Sequence, residues 1–109
     1  MTPEKRLESL RKMVDQRPDD AFARYSLAMA LRSAGRPEEA VEAFQALVGQ
    51  KPDYVPTYLM LGQALEGLGR RGEAARAYRD GITAATRARE DHARSKLAEA
   101  LERLSAEGE

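Results

Sequence analysis

The chain has 109 residues, 18 Lys and Arg balanced by 18 Asp and Glu, one His and no Cys. That is the length of one domain with a single modest core, and a net charge of zero argues against a protein built around nucleic acid or an anionic membrane. Without Cys there is no disulfide framework or thiolate metal site, one His is too few for the usual metal or catalytic histidine clusters, and no apolar run approaches the roughly 18 residues of a membrane span.

The opening residues Met1–Arg6 are followed by no apolar stretch and are not read as a secretory signal. The expectation is therefore a soluble, cytoplasmic, non-enzymatic protein without metal or cofactor. Ala, Leu, Glu and Arg dominate, and no segment alternates with period two over the length of a strand, so every predicted element is a helix. The first, within 1–17, is capped by Thr2 and started by Pro3. It runs to about Gln16, with Leu7, Leu10 and Val14 as its apolar stripe and Met13 at the edge. A second helix opens after Asp19 or Asp20, either of which can cap it, and stops at Gly35, where a left-handed turn is needed. Pro37 starts the third, with Glu38 and Glu39 near its positive end. The same order follows again: Asp53 as a cap, a helix ending at Gly69, and a helix through Glu73. The last helix is placed at Asp91 to Ser105. Its Ala93, Leu97, Ala100, Leu101 and Leu104 lie on one side, and Ser95, Lys96, Glu99, Glu102 and Arg103 on the other, the polar outer face of a terminal cap.

The recurrence has a period of 34. Leu27 pairs with Leu61, Ala30 with Ala64, Leu31 with Leu65, Gly35-Arg36 with Gly69-Arg70, Glu39-Ala40 with Glu73-Ala74, Phe44 with Tyr78, and Pro18-Asp19 with Pro52-Asp53. Arg24-x-x-Leu27-Ala28-x-x-Leu31 followed by Ala40-x-x-x-Phe44 and Pro52, and Tyr58-x-x-Leu61-Gly62-x-x-Leu65 followed by Ala74-x-x-x-Tyr78, resemble the tetratricopeptide repeat. The resemblance implies an all-α fold, an α-α superhelix of about six antiparallel helices. Its parts are a leading helix (1–17), repeat one (21–54), repeat two (55–88) and a C-terminal capping helix (91–105). Arg24 stands where an aromatic is usual, Leu47 and Gly81 where Ala is usual, and Thr86 where Pro closes a repeat. Past residue 86 the strict period fails, since 34 beyond Leu61 falls on Ser95. A two-residue insertion between Thr86 and Asp91 restores it, because Arg94-x-x-Leu97-Ala98-x-x-Leu101 matches the opening of repeat one. The alternative is one unbroken helix, since 82–105 hold neither Gly nor Pro.

On a wheel of about 100° per residue, Leu27, Leu31 and Ala34 define a core side for the second helix, while Phe22, Tyr25 and Met29 form a second apolar stripe opposite. In repeat two Tyr58, Leu61, Leu65 and Leu68 face the core, and Leu59 and Met60 turn away with Gln63 beside them. The resemblance implies that this second face lines a concave, peptide-holding groove. Phe22, Tyr25, Met29, Leu59, Met60 and Gln63 are then the candidates, joined at the far end by His92 and Lys96, four residues apart, which would attract a carboxylate unless both are simply solvated. A shallow surface with two methionines suits an apolar or amphipathic segment of another protein. The family's carboxylate clamp of Lys and Asn is absent, its positions holding Tyr25, Met29 and Met60. Gly67-x-Gly69-x-x-Gly72 matches the dinucleotide fingerprint only formally, because it follows a helix. The function expected is protein–protein interaction as a scaffold or adaptor. The alternative is self-association, such as a homodimer, through the same apolar face.

Overall fold

In the computed structural model, which describes residues 2–108, six helices follow one another: α1 (Pro3–Gln16), α2 (Ala21–Ser33), α3 (Pro37–Gln50), α4 (Pro56–Gly67), α5 (Arg71–Ala88) and α6 (Asp91–Glu107). Each packs on the next, and α4 also touches both α2 and α6. Among the described residues the backbones of α1, α3 and α5 make no comparable approach to one another. One layer is therefore drawn together and the other splayed, so the array curves with α2, α4 and α6 on its inside. The body measures 41 × 29 × 20 Å.

Local chemistry sets where each helix starts and stops. The Thr2 hydroxyl accepts the Lys5 N–H at 3.2 Å and the Asp20 carboxylate accepts the Ala23 N–H at 3.1 Å, satisfying donors that a first turn leaves orphaned. Asp53 does not cap, contrary to expectation. α4 begins at Pro56 with Val55 in the cap position, and the Thr57 and Tyr58 N–H groups donate to the Tyr54 and Val55 carbonyls instead. Gly35 and Gly69 have φ of +76° and +75°. The following N–H groups, of Arg36 and Arg70, each reach back 2.9 Å to the carbonyls of Leu31 and Leu65, the six-to-one bond of a Schellman close. The α5–α6 turn is built the same way without glycine. Arg89 sits at φ 58°, and the Glu90 N–H donates to the Ala85 carbonyl at 2.9 Å. The separate last helix is therefore correct, and the unbroken-helix alternative is not.

The two hairpins, α2–α3 and α4–α5, close on small residues. Tyr78 is fully buried over Gly62, where an added Cβ would fall 2.6 Å from ring atoms Cδ1 and Cζ and closer still to Cε1. Gly81 meets Tyr58 in the same way, with only 2.6 Å between an added methyl and the Tyr58 Cβ. Phe44 and Ala28 hold the equivalent positions of the first hairpin, both fully buried. Arg24, the odd residue in the pattern, takes over a polar task of Tyr58. Its Nε donates to the Pro18 carbonyl at 2.6 Å, as the Tyr58 hydroxyl does to the Pro52 carbonyl at 2.6 Å. Leu47, larger than the usual Ala, is fully buried, so that departure is absorbed by packing.

On α2 the deepest residues are Ala23, Ala28, Ala30 and Leu31, while Leu27 and Ala34 are only half-buried. The helix is gripped by α1 on one side and α3 on the other, so its buried arc is wider than a single stripe and is filled by alanines. At the ends, Leu7 of α1 and Leu97 and Leu104 of α6 are buried, with Leu10, Val14, Ala93, Ala100 and Leu101 half-buried as their stripes require.

Candidate peptide groove

The inner face holds a cavity of about 210 Å³ where α2, α4 and α6 converge. Its walls are Tyr25 from α2, Leu59 and Met60 from α4 with Val55 and Pro56 at that helix's start, and Ala93 and Leu97 from α6. Glu90, His92 and Lys96 stand around them. Val55 and Leu97 are buried and make the floor, and His92 and Lys96 are exposed and make the rim.

Five of the eight sequence candidates thus come together: Tyr25, Leu59, Met60, His92 and Lys96. The other three do not line this cavity. Phe22 stands at the start of α2, 65% exposed. Met29 is half-buried against a separate hollow that it shares with Pro3 and Arg6 of α1. Gln63 accepts a hydrogen bond from the Arg32 guanidinium at 3.3 Å, tying α4 to α2. Tyr25 is also less open than its stripe implies. Its ring meets Phe44 edge-on at 6.2 Å and Tyr54 at 5.9 Å, and burial pushes its hydroxyl pKa up. A residue of the inner face is therefore also keyed to the hairpin behind it.

Val55, Pro56, Glu90, Ala93 and Leu97 are lining residues that sequence reasoning missed. A signal existed for Pro56, since it lies 34 residues after Phe22 and 36 before His92 and so belongs to the same inward series. The periodicity assigns Leu97 to the core, which is right, but a core residue at the junction of three helices also forms a floor.

The inner face changes character along the array. Corresponding positions read Phe22, Tyr25 and Met29 on α2, then Pro56, Leu59 and Gln63 on α4, then His92, Ser95 and Glu99 on α6. It runs from apolar to polar. The far end is braced by a polar cluster. Glu66 of α4 accepts the Tyr78 hydroxyl and the Arg103 guanidinium at 2.8 and 3.1 Å, and Arg103 also pairs with Glu107 at 3.1 Å. The Arg103 hydrogen bond, above all, holds the Glu66 carboxyl below its ordinary value, and burial, then Glu66, raises the Tyr78 hydroxyl. Arg71 donates to the Leu104 carbonyl at 2.5 Å. These bonds tie the C-terminal half of α6 to α4 and α5. Among the described residues no cluster of His, Cys, Asp or Glu is disposed to hold a metal ion, and no helix is long and apolar enough to cross a membrane.

Family models of the tetratricopeptide repeat match residues 4–55 and 31–100. The chain belongs to the tetratricopeptide repeat family. A tetratricopeptide repeat domain protein from Salinibacter ruber, solved by NMR, is 34% identical to it, over 82% of this chain and 90% of that one, with a TM-score of 0.78. Two further structures share the repeat fold at lower identity. PcrH in complex with the chaperone-binding region of PopD is 13% identical over 98% of this chain and 81% of that one, with a TM-score of 0.88. The TPR2B domain of yeast Sti1 in its pHsp70 complex is 16% identical over 93% of this chain and 81% of that one, with a TM-score of 0.85. No curated protein matches the chain in sequence. In this repeat family α2–α3 and α4–α5 are complete two-helix units, while α1 and α6 each supply one helix of the pattern.

Proposed function

We propose that the inner face docks a short apolar or amphipathic segment of another protein, and that the protein acts as a non-catalytic scaffold or adaptor. The observation that carries this reading is the apolar-floored cavity between Tyr25, Leu59, Met60 and Leu97 with a charged rim. Repeat proteins of the same fold that bind a PopD region and an Hsp70 peptide support it. The change from Phe22 and Tyr25 to His92 and Glu99 gives the segment a direction, with its apolar part over α2 and α4 and its polar part over α6. Affinity is modest, because a groove spanning three inner helices offers a small interface.

The test is a selection of short random peptides displayed against the wild-type chain, followed by anisotropy titration of the selected peptides. Met60→Glu places a charge where the peptide must bury apolar surface. It is expected to weaken binding at least about tenfold with helicity unchanged. Peptides that bind Met60→Glu as tightly as wild type refute the groove.

A further inference from the structure

The cavity takes one side chain of a docked segment, and the face that carries it continues past it. Corresponding inner positions of α2 and α4 are, turn by turn, Tyr25 with Leu59, Met29 with Gln63, and Arg32 with Glu66. The first turn is apolar and belongs to the cavity. The last brings a cation and an anion to the same level of the face, yet they do not pair. Both carboxylate oxygens of Glu66 are taken, by the Tyr78 hydroxyl and the Arg103 guanidinium. The partner that Arg32 finds is the neutral side-chain amide of Gln63.

Arg32 is unusual among the arginines of this chain. Arg11, Arg36, Arg70, Arg94 and Arg103 each have a carboxylate within 4.0 Å. Arg24 and Arg71 donate to backbone carbonyls. The others that lack such a partner among the described residues are exposed, so water serves them. Arg32 is half-buried, and Nη1 donates to Gln63 Oε1 at 3.3 Å. That is one long bond to a neutral acceptor from a group with five N–H donors. Its place in the last turn of α2 suits a cation, but the helix end gives its remaining donors no acceptor. A guanidinium has thus given up water without gaining an anion, and the Gln63 bond holds it between α2 and α4 on the inner face.

We propose that Arg32 reads an acidic side chain of the docked segment, two residues away from the apolar side chain that fills the cavity. This rests on the groove reading above and specifies the partner it takes. The spacing follows from helix and strand geometry. Gln63, which holds the guanidinium, is four residues past Leu59, about 6 Å along α4. An extended chain returns a side chain to the same face every second residue, about 6–7 Å. An apolar residue and an Asp or Glu two positions apart therefore reach the cavity and Arg32 together. The segment is extended because a cavity of about 210 Å³ takes one side chain, not the stripe of a helix. The recognised group is a carboxylate because the planar guanidinium offers it two parallel N–H donors, and because the carboxylate that the groove itself has at this level, Glu66, is already engaged. A basic residue at that position of the segment meets an uncompensated like charge.

Selection of random peptides on the intact wild-type chain and on Arg32→Glu, in parallel, reads this directly. Wild-type peptides are expected to share an apolar residue with Asp or Glu two positions away. Arg32→Glu peptides keep the apolar residue and carry Lys or Arg at the second position. In anisotropy titrations an acidic peptide binds Arg32→Glu at least about tenfold more weakly than wild type. Changing its acidic residue to lysine restores binding to Arg32→Glu and weakens binding to wild type. Circular dichroism checks folding, and Arg32→Gln serves if the reversal does not fold, losing the acidic preference without inverting it. If Arg32 only ties α2 to α4, its variants weaken acidic, neutral and basic peptides alike and no charge swap rescues them, which overturns the proposal. Peptides that depend on Met60 but show no acidic preference overturn it too, and leave the groove standing. Binding indifferent to Met60→Glu defeats the groove itself, and a wild-type selection that yields nothing defeats both.

Discussion

Replacing Gly62 by alanine tests the close approach on which each hairpin depends. In an exposed helix, glycine to alanine stabilises by about 0.5–1 kcal/mol through backbone entropy and propensity. At Gly62 the added methyl would lie 2.6 Å from Tyr78 Cδ1 and Cζ and nearer still to Cε1, well inside ordinary contact. The ring has little freedom to retreat, because Tyr78 is fully buried and its hydroxyl donates to Glu66. Overpacking of this kind costs about 1–3 kcal/mol and outweighs the propensity gain, so the net effect is a loss of about 1–2 kcal/mol. Gly49→Ala on α3 is the control, because its methyl meets nothing within 4 Å. It is expected to gain about 0.5–1 kcal/mol. Urea unfolding followed by far-UV circular dichroism measures both. The same substitution then has opposite signs at two helical sites, and shrinking the ring with Tyr78→Leu in the Gly62→Ala background recovers part of the loss in a double-mutant cycle. A Gly62→Ala protein as stable as wild type refutes the reasoning, since the helices would then separate freely.

Arg89→Gly relieves a left-handed non-glycine residue at the α5–α6 turn and is expected to raise stability by about 1 kcal/mol in the same assay; a loss would mean that the turn is held otherwise. Thr57 is fully buried with no partner for its hydroxyl among the described residues. Thr57→Val removes that unpaired group at nearly constant shape and should be neutral or stabilising by up to about 1 kcal/mol. Glu66 has a folded-state pKa below its ordinary 4.5, so its contribution is present above that value and is lost as pH falls through the folded pKa. Glu66→Gln should lower stability at neutral pH by about 1 kcal/mol and flatten the acid side of the stability–pH curve; an unchanged acid limb contradicts the Arg103 pairing.

What was legible in the sequence was what lies within one helix or one turn. Pro3, Pro37, Gly35 and Gly69 act on their own backbone, so the hairpins and their 34-residue period could be read without knowing what they pack against. The split between Thr86 and Asp91 was also legible, since a register shift is arithmetic, although its left-handed residue, Arg89, carries no glycine to announce it. Which apolar residues share a surface was settled by packing between helices. A wheel sorts residues by angle about one axis, and it put Phe22, Tyr25 and Met29 on one stripe. The neighbours of α2 then sent Tyr25 against Phe44 and Tyr54, left Phe22 exposed and gave Met29 to the hollow beside α1. Likewise Arg24 looked like a flaw in the pattern until the chain folded back and set the Pro18 carbonyl within reach of its guanidinium, as the Pro52 carbonyl is within reach of Tyr58. Backbone conformation follows from local chemistry, whereas a groove is defined by side chains from three helices at once, and their relative placement depends on packing that no single segment encodes.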